Sequence, residues 1–224
     1  TLLTMLGIII GIMSVVTVVA LARGASDQII SNISSMGTNT ITIMPGQKMG
    51  DMRSGRVRTL SVKDLKALKG QPFVDSASPT VRNSGMVQSY NVDATATVIG
   101  VSGEYFRVYG MEIEKGRMFS EDEASLSPQV GVIDYNTKNT FFKNEDPIGK
   151  RLFVQGKPIT VIGLLVDKEV AFRHSDNLYI YVPYSTMMNR IVKQNYISSI
   201  IVRTADGFSS AVAEASITSL LKSR

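Results

Sequence analysis

The pattern of hydrophobic and polar residues changes along this chain, and its first part is apolar without interruption. Residues 1–22, TLLTMLGIIIGIMSVVTVVALA, contain no charged side chain, and Arg23 ends the run. About 20 apolar residues in a helix are enough to cross the hydrocarbon core of a bilayer. The pattern therefore predicts a transmembrane helix. The main alternative is a secretory signal peptide, whose apolar stretch is shorter and follows a basic segment.

A helical period continues beyond Arg23. The apolar residues Ile29, Ile33 and Met36 lie at positions i, i+4 and i+7, with Ile30 beside Ile29, and the polar residues between them face away. Gly37 is a helix stop signal. We therefore expect one helix over residues 1–36 that leaves the membrane as an amphipathic stalk. The stalk's apolar positions are Ile29, Ile30, Ile33 and Met36.

Two glycines within the apolar run form a G-x-x-x-G pair, Gly7 and Gly11. Such a pair lets the backbones of two membrane helices approach closely. The motif is short, so it predicts a helix-packing site without identifying the partner. The chain has neither an initiator Met nor a basic segment before this run, and we expect it to be a piece of a longer protein.

Beyond residue 39, short alternating segments predict strands, and helical periods predict the helices between them. We expect strands at 40–44, 73–81, 85–90, 94–101, 129–133, 151–154, 159–165, 178–182 and 197–203. We expect helices from Ser61, at 104–109, from Ser120, at 136–142, at 185–192, and a last one with Val212, Ala213, Ile217, Leu220 and Leu221 on one face. This order indicates an α+β domain built from both ends of the chain, with an inserted β-rich subdomain.

The net charge of +5 is concentrated in one stretch. Between Lys48 and Lys69 there are seven basic and two acidic residues, and the rest of the chain is balanced. No aromatic residue occurs in this stretch, whereas single-stranded nucleic acid sites combine basic and stacking side chains. We therefore expect no nucleic acid partner. A solvated loop explains the charge best, and attraction to anionic lipid or an acidic surface is the alternative.

The residues that most enzymes and metal sites need are missing. The chain has no Cys, a single His (His174) and no G-x-x-x-x-G-K-[ST] motif. The acidic residues Glu112, Glu114 and 121–123 are explained by solvated faces, and the eleven methionines by core packing. We therefore expect no catalytic residue, no cofactor site and no metal site in this fragment.

Several segments, in order along the whole chain, are similar to one family. The run LLTMLGIIIGIMSVVTVVALARGASDQIISNISSMGTNTITIMPG resembles the first membrane helix and stalk of MacB-type ABC permeases, within the group of FtsX-like permeases. GMEIEKGRMFSEDE, NEDPIGKRLFVQGKPITVIGLL, NLYIYVPYSTMMNRI and IIVRTADGFSSAVAEASITSLLKSR resemble the family's periplasmic segments.

The resemblance implies a domain organisation. It comprises a transmembrane helix and stalk at 1–36, a porter-like mixed α/β subdomain at 37–101 and 176–224, and an inserted β-rich subdomain at 102–175. It also implies a location in the bacterial inner membrane, with residues after about 23 in the periplasm.

The resemblance further implies an efflux transporter that couples cytoplasmic ATP hydrolysis to the export of macrolides or peptide-like substrates. The implied partners are a periplasmic adaptor, a TolC-like outer-membrane channel and a second copy of the protein. ATP and Mg would bind a nucleotide-binding domain outside this fragment. Two alternatives remain within the same group: an FtsX-type regulatory permease that acts on a cell-wall hydrolase, and a lipoprotein-release permease.

Overall fold

The computed structural model describes residues 6–7, 10–19, 39–46, 59–90, 92–167, 177–205 and 207–223. The chain divides into two compact units, Thr1–Thr38 and Asn39–Arg224. Residues 47–58, which include the first four basic residues of the stretch Lys48–Lys69, lie outside the described residues, as do His174 and the stalk positions.

In the first unit, residues 10–19 are helical, and every side chain among them is exposed. The exposed apolar side chains include Ile10, Ile12 and Val18, which point in different directions around the helix. The hydroxyl of Thr17 donates to the carbonyl oxygen of Met13 at 2.8 Å, so the helix satisfies this polar group internally. None of the described helices combines the length and apolar character needed to cross a membrane.

The described part of the second unit forms a mixed α/β fold, in agreement with the expected class. Its strands are β1 (Thr40–Ile43), β2 (Val74–Ser89), β3 (Val92–Val101), β4 (Ile113–Gly116), β5 (Val130–Ile133), β6 (Arg151–Val154), β7 (Lys157–Leu165), β8 (Tyr179–Pro183) and β9 (Ser199–Thr204). Its helices are α1 (Val62–Lys69), α2 (Glu104–Val108), α3 (Glu121–Ser125), α4 (Tyr135–Phe141), α5 (Tyr184–Thr186) and α6 (Ser210–Lys222).

Helix α1 begins where the sequence predicts it. The carboxylate of Asp64 accepts hydrogen bonds from the backbone N–H of Ser61 at 2.9 Å and from its hydroxyl at 2.7 Å. This arrangement is half of a capping box and fixes the first turn. Leu65 and Leu68 are buried, as expected, and Gly70 is the C-cap.

Strand β2 is the longest of the described elements, with 16 residues, and its two halves pair in two sheets. Its first half pairs with β9, and β9 pairs in turn with β1, all antiparallel. Its second half pairs with β3, from Val81 opposite Gly100 to Ser89 opposite Val92. The sequence predicts a break near residues 82–84. This prediction is wrong, because β2 continues through these residues and pairs with β3 along them. The side chains of Arg82 and Ser84 on β2 face solvent.

Six strands close into a ring in the order β2-β3-β8-β5-β7-β6. The ring closes where β6 pairs with β2, with Val154 opposite Val87 and Phe153 opposite Gln88. Strand β4 pairs with β7 outside the ring. Closure removes free strand edges, and alternate residues of each strand point inward.

The hydrophobic core has two parts, which lie on opposite faces of the sheet. Ile200 and Val202 of β9 belong to the first part, whereas Ile201 between them belongs to the second. The first part includes the buried side of α1 and the interior of the ring. The second lies under α2 and α3 and contains the packed rings of Tyr105, Phe106 and Tyr181.

Two helices near the C-terminus differ in detail from the expectation. The helix expected at 185–192 consists of the short α5 followed by a π-helical turn, Met187–Ile191. In α6, Ala213 and Ile217 are buried, as expected. Val212 is 59% exposed, because its direction lies about 100° from that of Ala213 around the helix.

Candidate functional site

The sequence-predicted site residues all belong to the first unit. Gly7 and Gly11 are both helical and exposed, and a Cβ atom built at either glycine would meet none of the described residues within 4 Å apart from its own helix backbone and chain neighbours. The predicted stalk positions Ile29, Ile30, Ile33 and Met36 lie outside the described residues.

In the second unit, a groove of about 960 Å³ runs between β1, α1 and α6. Its apolar lining includes Ile41, Ile43 and Leu221, and its charged lining includes Lys63 and Glu214. Within the described residues, β1 pairs only with β9, so its other edge adjoins this groove. Sequence reasoning predicted the apolar face of α6 but missed the groove, because the groove joins segments more than 150 positions apart.

A junction of charged residues connects three helices. The ammonium group of Lys69, at the end of α1, lies 3.3 Å from Oε2 of Glu104 and forms a hydrogen bond with Oε1 of Glu121. Glu104 and Glu121 are the first residues of α2 and α3. Sequence reasoning explained Glu121 as a solvated helix start and missed both the lysine and Glu104. Spacing gives no signal for this junction, because Lys69 and Glu121 are 52 positions apart.

Several buried groups have raised pKa values. Burial raises the pKa of Tyr105 to about 12, with a further increase from Tyr109. Burial also raises the pKa of Tyr181, and that of Tyr184, where the nearby charge of Glu121 adds to the effect. Phenols that hold their protons this strongly are poor acids and bases near neutral pH. They serve as packing and hydrogen-bonding groups.

Asp134 is the N-cap of α4, and its side chain is half-buried. Its Oδ1 accepts hydrogen bonds from the backbone N–H groups of Thr137, at 3.0 Å, and Tyr179, at 3.2 Å. Burial raises its pKa, although these hydrogen bonds act in the opposite direction. The residue ties the start of α4 to β8, which is a structural role.

The loop before β5 is held by one face of α5 and its π-helical turn. Ser127 has a φ of +58°, which is unusual for a residue other than glycine. Its N–H donates to Oγ of Ser185 and its Oγ accepts from Nδ2 of Asn189, both at 2.8 Å. Thr186 donates to the carbonyl of Pro128 at 2.6 Å. These bonds fix a strained loop beside Leu126, which is 76% exposed.

Within the part of the chain that the structure describes, no group of three or more acidic or histidine side chains could hold a metal ion. The charged groups instead form pairs that join elements, such as Arg117 with Glu123 and Lys115 with Asp146. The described part of the second unit thus combines a grooved surface, a closed ring of strands and ion pairs between elements.

This chain is similar to known proteins in sequence and in fold. The family model "MacB-like periplasmic core domain" matches residues 1–220. The macrolide export ATP-binding/permease protein MacB of Vibrio parahaemolyticus is 51% identical over 224 residues, which are 100% of this chain and 34% of that protein. The MacB of Neisseria meningitidis serogroup A is 46% identical over 224 residues, which are 100% of this chain and 35% of that protein. The chain thus spans about a third of the length of these curated relatives.

Solved structures give the same result. The periplasmic region of MacB from Actinobacillus actinomycetemcomitans superposes with a TM-score of 0.77 at 38% identity, covering 88% of each chain. The extracellular domain of the noncanonic ABC-type transporter YknZ from Gram-positive bacteria superposes with a TM-score of 0.62, covering 75% of this chain and 85% of that one. At 23% identity, the second likeness shows the fold alone. By family model, sequence and structure together, this chain belongs to the MacB-like periplasmic core domain family.

Proposed function

We propose that this chain is the membrane-anchored periplasmic part of an ABC-type efflux transporter. In this proposal, the longer protein couples cytoplasmic ATP hydrolysis to the export of macrolides or peptide-like substrates. The observation that carries the proposal is the 51% identity to a macrolide export protein over the whole of this chain. The match to the solved periplasmic region of MacB, with a TM-score of 0.77, supports it.

The proposal places residues 1–22 across the inner membrane and residues after about 23 in the periplasm. The uncharged sequence of this run supports the placement, as does the exposure of apolar side chains around the described helix. Gly7 and Gly11 would face another membrane helix, in the same protein or in a second copy. Ile29, Ile30, Ile33 and Met36 would form the apolar face of the stalk.

We propose that the chain contains a porter-like subdomain at 37–101 and 176–224, with a β-rich insertion at 102–175. Two strand–helix segments, β1-α1-β2 near one end of the domain and β9-α6 near the other, support the first part, because their strands pair in the order β1-β9-β2. Strands β4 to β7 all lie within the insertion. Strand β2 would connect the two parts mechanically, because it pairs in both sheets.

The chain's role in this proposal is to transmit motion. ATP-driven closure of the cytoplasmic domains would displace the stalk, and the stalk would move the periplasmic domain to expel substrate. The adaptor and the TolC-like outer-membrane channel would receive that substrate, and two copies of the transporter would act together. ATP and Mg would bind the nucleotide-binding domain, as the relatives' description as ATP-binding proteins supports.

A chimeric transporter tests the proposal. This chain would replace the corresponding 34% of the Vibrio parahaemolyticus relative, in a bacterium that lacks its own macrolide exporter. We expect the chimera to restore macrolide resistance to a level close to that of the unmodified relative. A chimera that reaches the membrane in normal amount and hydrolyses ATP, yet gives no resistance, would contradict the proposal.

A further inference from the structure

The junction at Lys69 lies at the boundary between the two parts of the core. Helix α1 contributes Leu65 and Leu68 to the first part. Helices α2 and α3 contribute Phe106 and Ala124 to the second part. Helices on opposite faces of a sheet share no apolar contact through it, so a direct contact between them must pass around an edge of the sheet.

The free edge of β2 provides the place for that interaction. The first half of β2 pairs with β9 on one side, and β3 joins its other side only from Val81 onward. On the unpaired side, the backbone N–H of Ala77 donates to Oε2 of Glu104 at 2.9 Å. The side chain of Glu104 therefore takes the place of a neighbouring strand, and the same oxygen lies 3.3 Å from the ammonium group of Lys69.

Glu121 reaches the same lysine because α2 and α3 begin close together. A Cβ atom on Gly103 would lie 2.8 Å from the carbonyl oxygen of Phe119 and 3.2 Å from the nitrogen of Glu121. Only a glycine permits this approach without a shift. Oε1 of Glu121 accepts from Lys69, and its Oε2 is buried without a hydrogen bond to the described residues.

We propose that Lys69 is a positioning residue that ties α1, on one face of the sheet, to α2 and α3 on the other. Its ammonium group neutralises two carboxylates that would otherwise repel each other, and it holds Glu104 in place to cap the edge of β2. The three helices and the first half of β2 thereby move as one body. The inference rests on geometry and stands independently of export; if the proposed function holds, this body is what the stalk would displace.

Hydrogen exchange of the full chain in detergent micelles tests the inference residue by residue. In Lys69→Met, we expect the amides of Ala77 and of α3 to exchange about tenfold faster, because Glu104 and Glu121 lose the ammonium group that holds their side chains in place. The matched control is Lys66→Met, one turn earlier on the same helix, where the lysine is exposed. It should leave these rates unchanged, and Lys69→Arg should restore most of the protection.

A milder variant keeps the test informative if Lys69→Met does not fold. Glu121→Gln removes one carboxylate and leaves the contact between Lys69 and Glu104 intact. We expect faster exchange in α3 with unchanged exchange at Ala77. The inference is overturned if Lys69→Met changes these rates by less than about twofold, or if Glu121→Gln accelerates α3 and the distant α6 equally, as general destabilisation would.

A triple variant separates tethering from simple charge balance. Lys69→Met combined with Glu104→Gln and Glu121→Gln removes both the ammonium group and the repulsion between the carboxylates. We expect exchange at Ala77 and in α3 to remain fast, because the link itself is missing. Recovery of wild-type protection would show that Lys69 only balances charge, and would contradict its role as a tie. None of these measurements depends on transport.

Discussion

The carbonyl oxygen of Ser127 accepts a hydrogen bond from Nε of Arg190 at 3.1 Å. Together with the bonds from Asn189 and to Ser185, this contact engages the backbone N–H, the carbonyl and the hydroxyl of Ser127. A loop in a strained conformation is thus held by a single helix face. The strain persists because the surrounding contacts fix it.

The first prediction follows from this loop. Asn189→Ala should lower the free energy of unfolding by about 1 kcal/mol, since it removes the hydrogen bond to the Ser127 hydroxyl. Asn195→Ala is the matched control, because Asn195 is an exposed asparagine nearby. It should change stability by less than about 0.5 kcal/mol. Denaturant unfolding measures the free energy of unfolding of both variants. Equal losses of stability would show that the hydrogen bond between Asn189 and Ser127 does not stabilise the loop.

The second prediction concerns the acid dependence of stability. Glu123 accepts two hydrogen bonds from the guanidinium of Arg117, at 2.8 and 2.9 Å. These bonds, followed by the hydrogen bond from the backbone N–H of Ser120, lower the pKa of Glu123 from its ordinary value of 4.5 to about 2. A carboxylate with a lowered folded-state pKa stabilises the fold above its unfolded pKa. This stabilisation is lost as the pH falls from about 4.5 toward 2.

Glu123→Gln should therefore destabilise the domain at pH 7 and flatten its pH dependence in that acidic window. The pair is largely solvent-exposed, so we expect an effect of about 0.5–1 kcal/mol at most. Glu114→Gln, at an exposed position of β4, is the control and should leave the slope unchanged. Unfolding curves between pH 2 and pH 7 measure the difference; a Glu123→Gln protein with the wild-type slope would refute the prediction.

The third prediction concerns the close packing of β7. A Cβ atom on Gly163 would lie 2.4 Å from the backbone carbonyl oxygen of Arg117. Gly163→Ala should therefore force a backbone shift and cost about 1–3 kcal/mol. At Gly70 the nearest atom to an added Cβ is 3.7 Å away, so Gly70→Ala should be close to neutral. Thermal unfolding that ranked the two variants in the opposite order would contradict this packing.

The fourth prediction tests the proposed stalk. In the longer protein, Ile29→Pro should uncouple export from ATP hydrolysis, because proline removes a helix hydrogen bond and clashes with the preceding turn. ATPase activity should persist while export is lost. Ile29→Leu is the control, since leucine preserves both the helix and its apolar face. Normal export by the proline variant would show that motion does not pass through this helix.

The local elements of the second unit were largely predictable from sequence. Ser61 with Asp64, and Ser120 with Glu123, are capping pairs that locate the starts of α1 and α3. Alternation located most strands. It failed at residues 82–84, because polar side chains on the solvent face of a paired strand look the same in sequence as a turn.

The long-range features could not be predicted in this way. The ring closes through only two residue pairs between β6 and β2, which are separated by more than 60 positions. The junction of Lys69 with Glu104 and Glu121 depends on how three helix ends meet, and each residue alone looks like a solvated charge. The family resemblance supplied what periodicity could not, since it depends on the order of segments along the whole chain.

The central claim is tested most directly by measuring on which side of the membrane this domain lies. The chain has no cysteine, and Tyr90, in the turn between β2 and β3, is 80% exposed. The Tyr90→Cys variant, in an otherwise cysteine-free form of the longer protein, would be treated with a membrane-impermeant maleimide in intact spheroplasts. A cytoplasmic protein that contains a cysteine would be the control for leakage. We predict labelling of the variant while the cytoplasmic protein stays unlabelled. Labelling of the variant only after the inner membrane is broken would contradict a periplasmic domain.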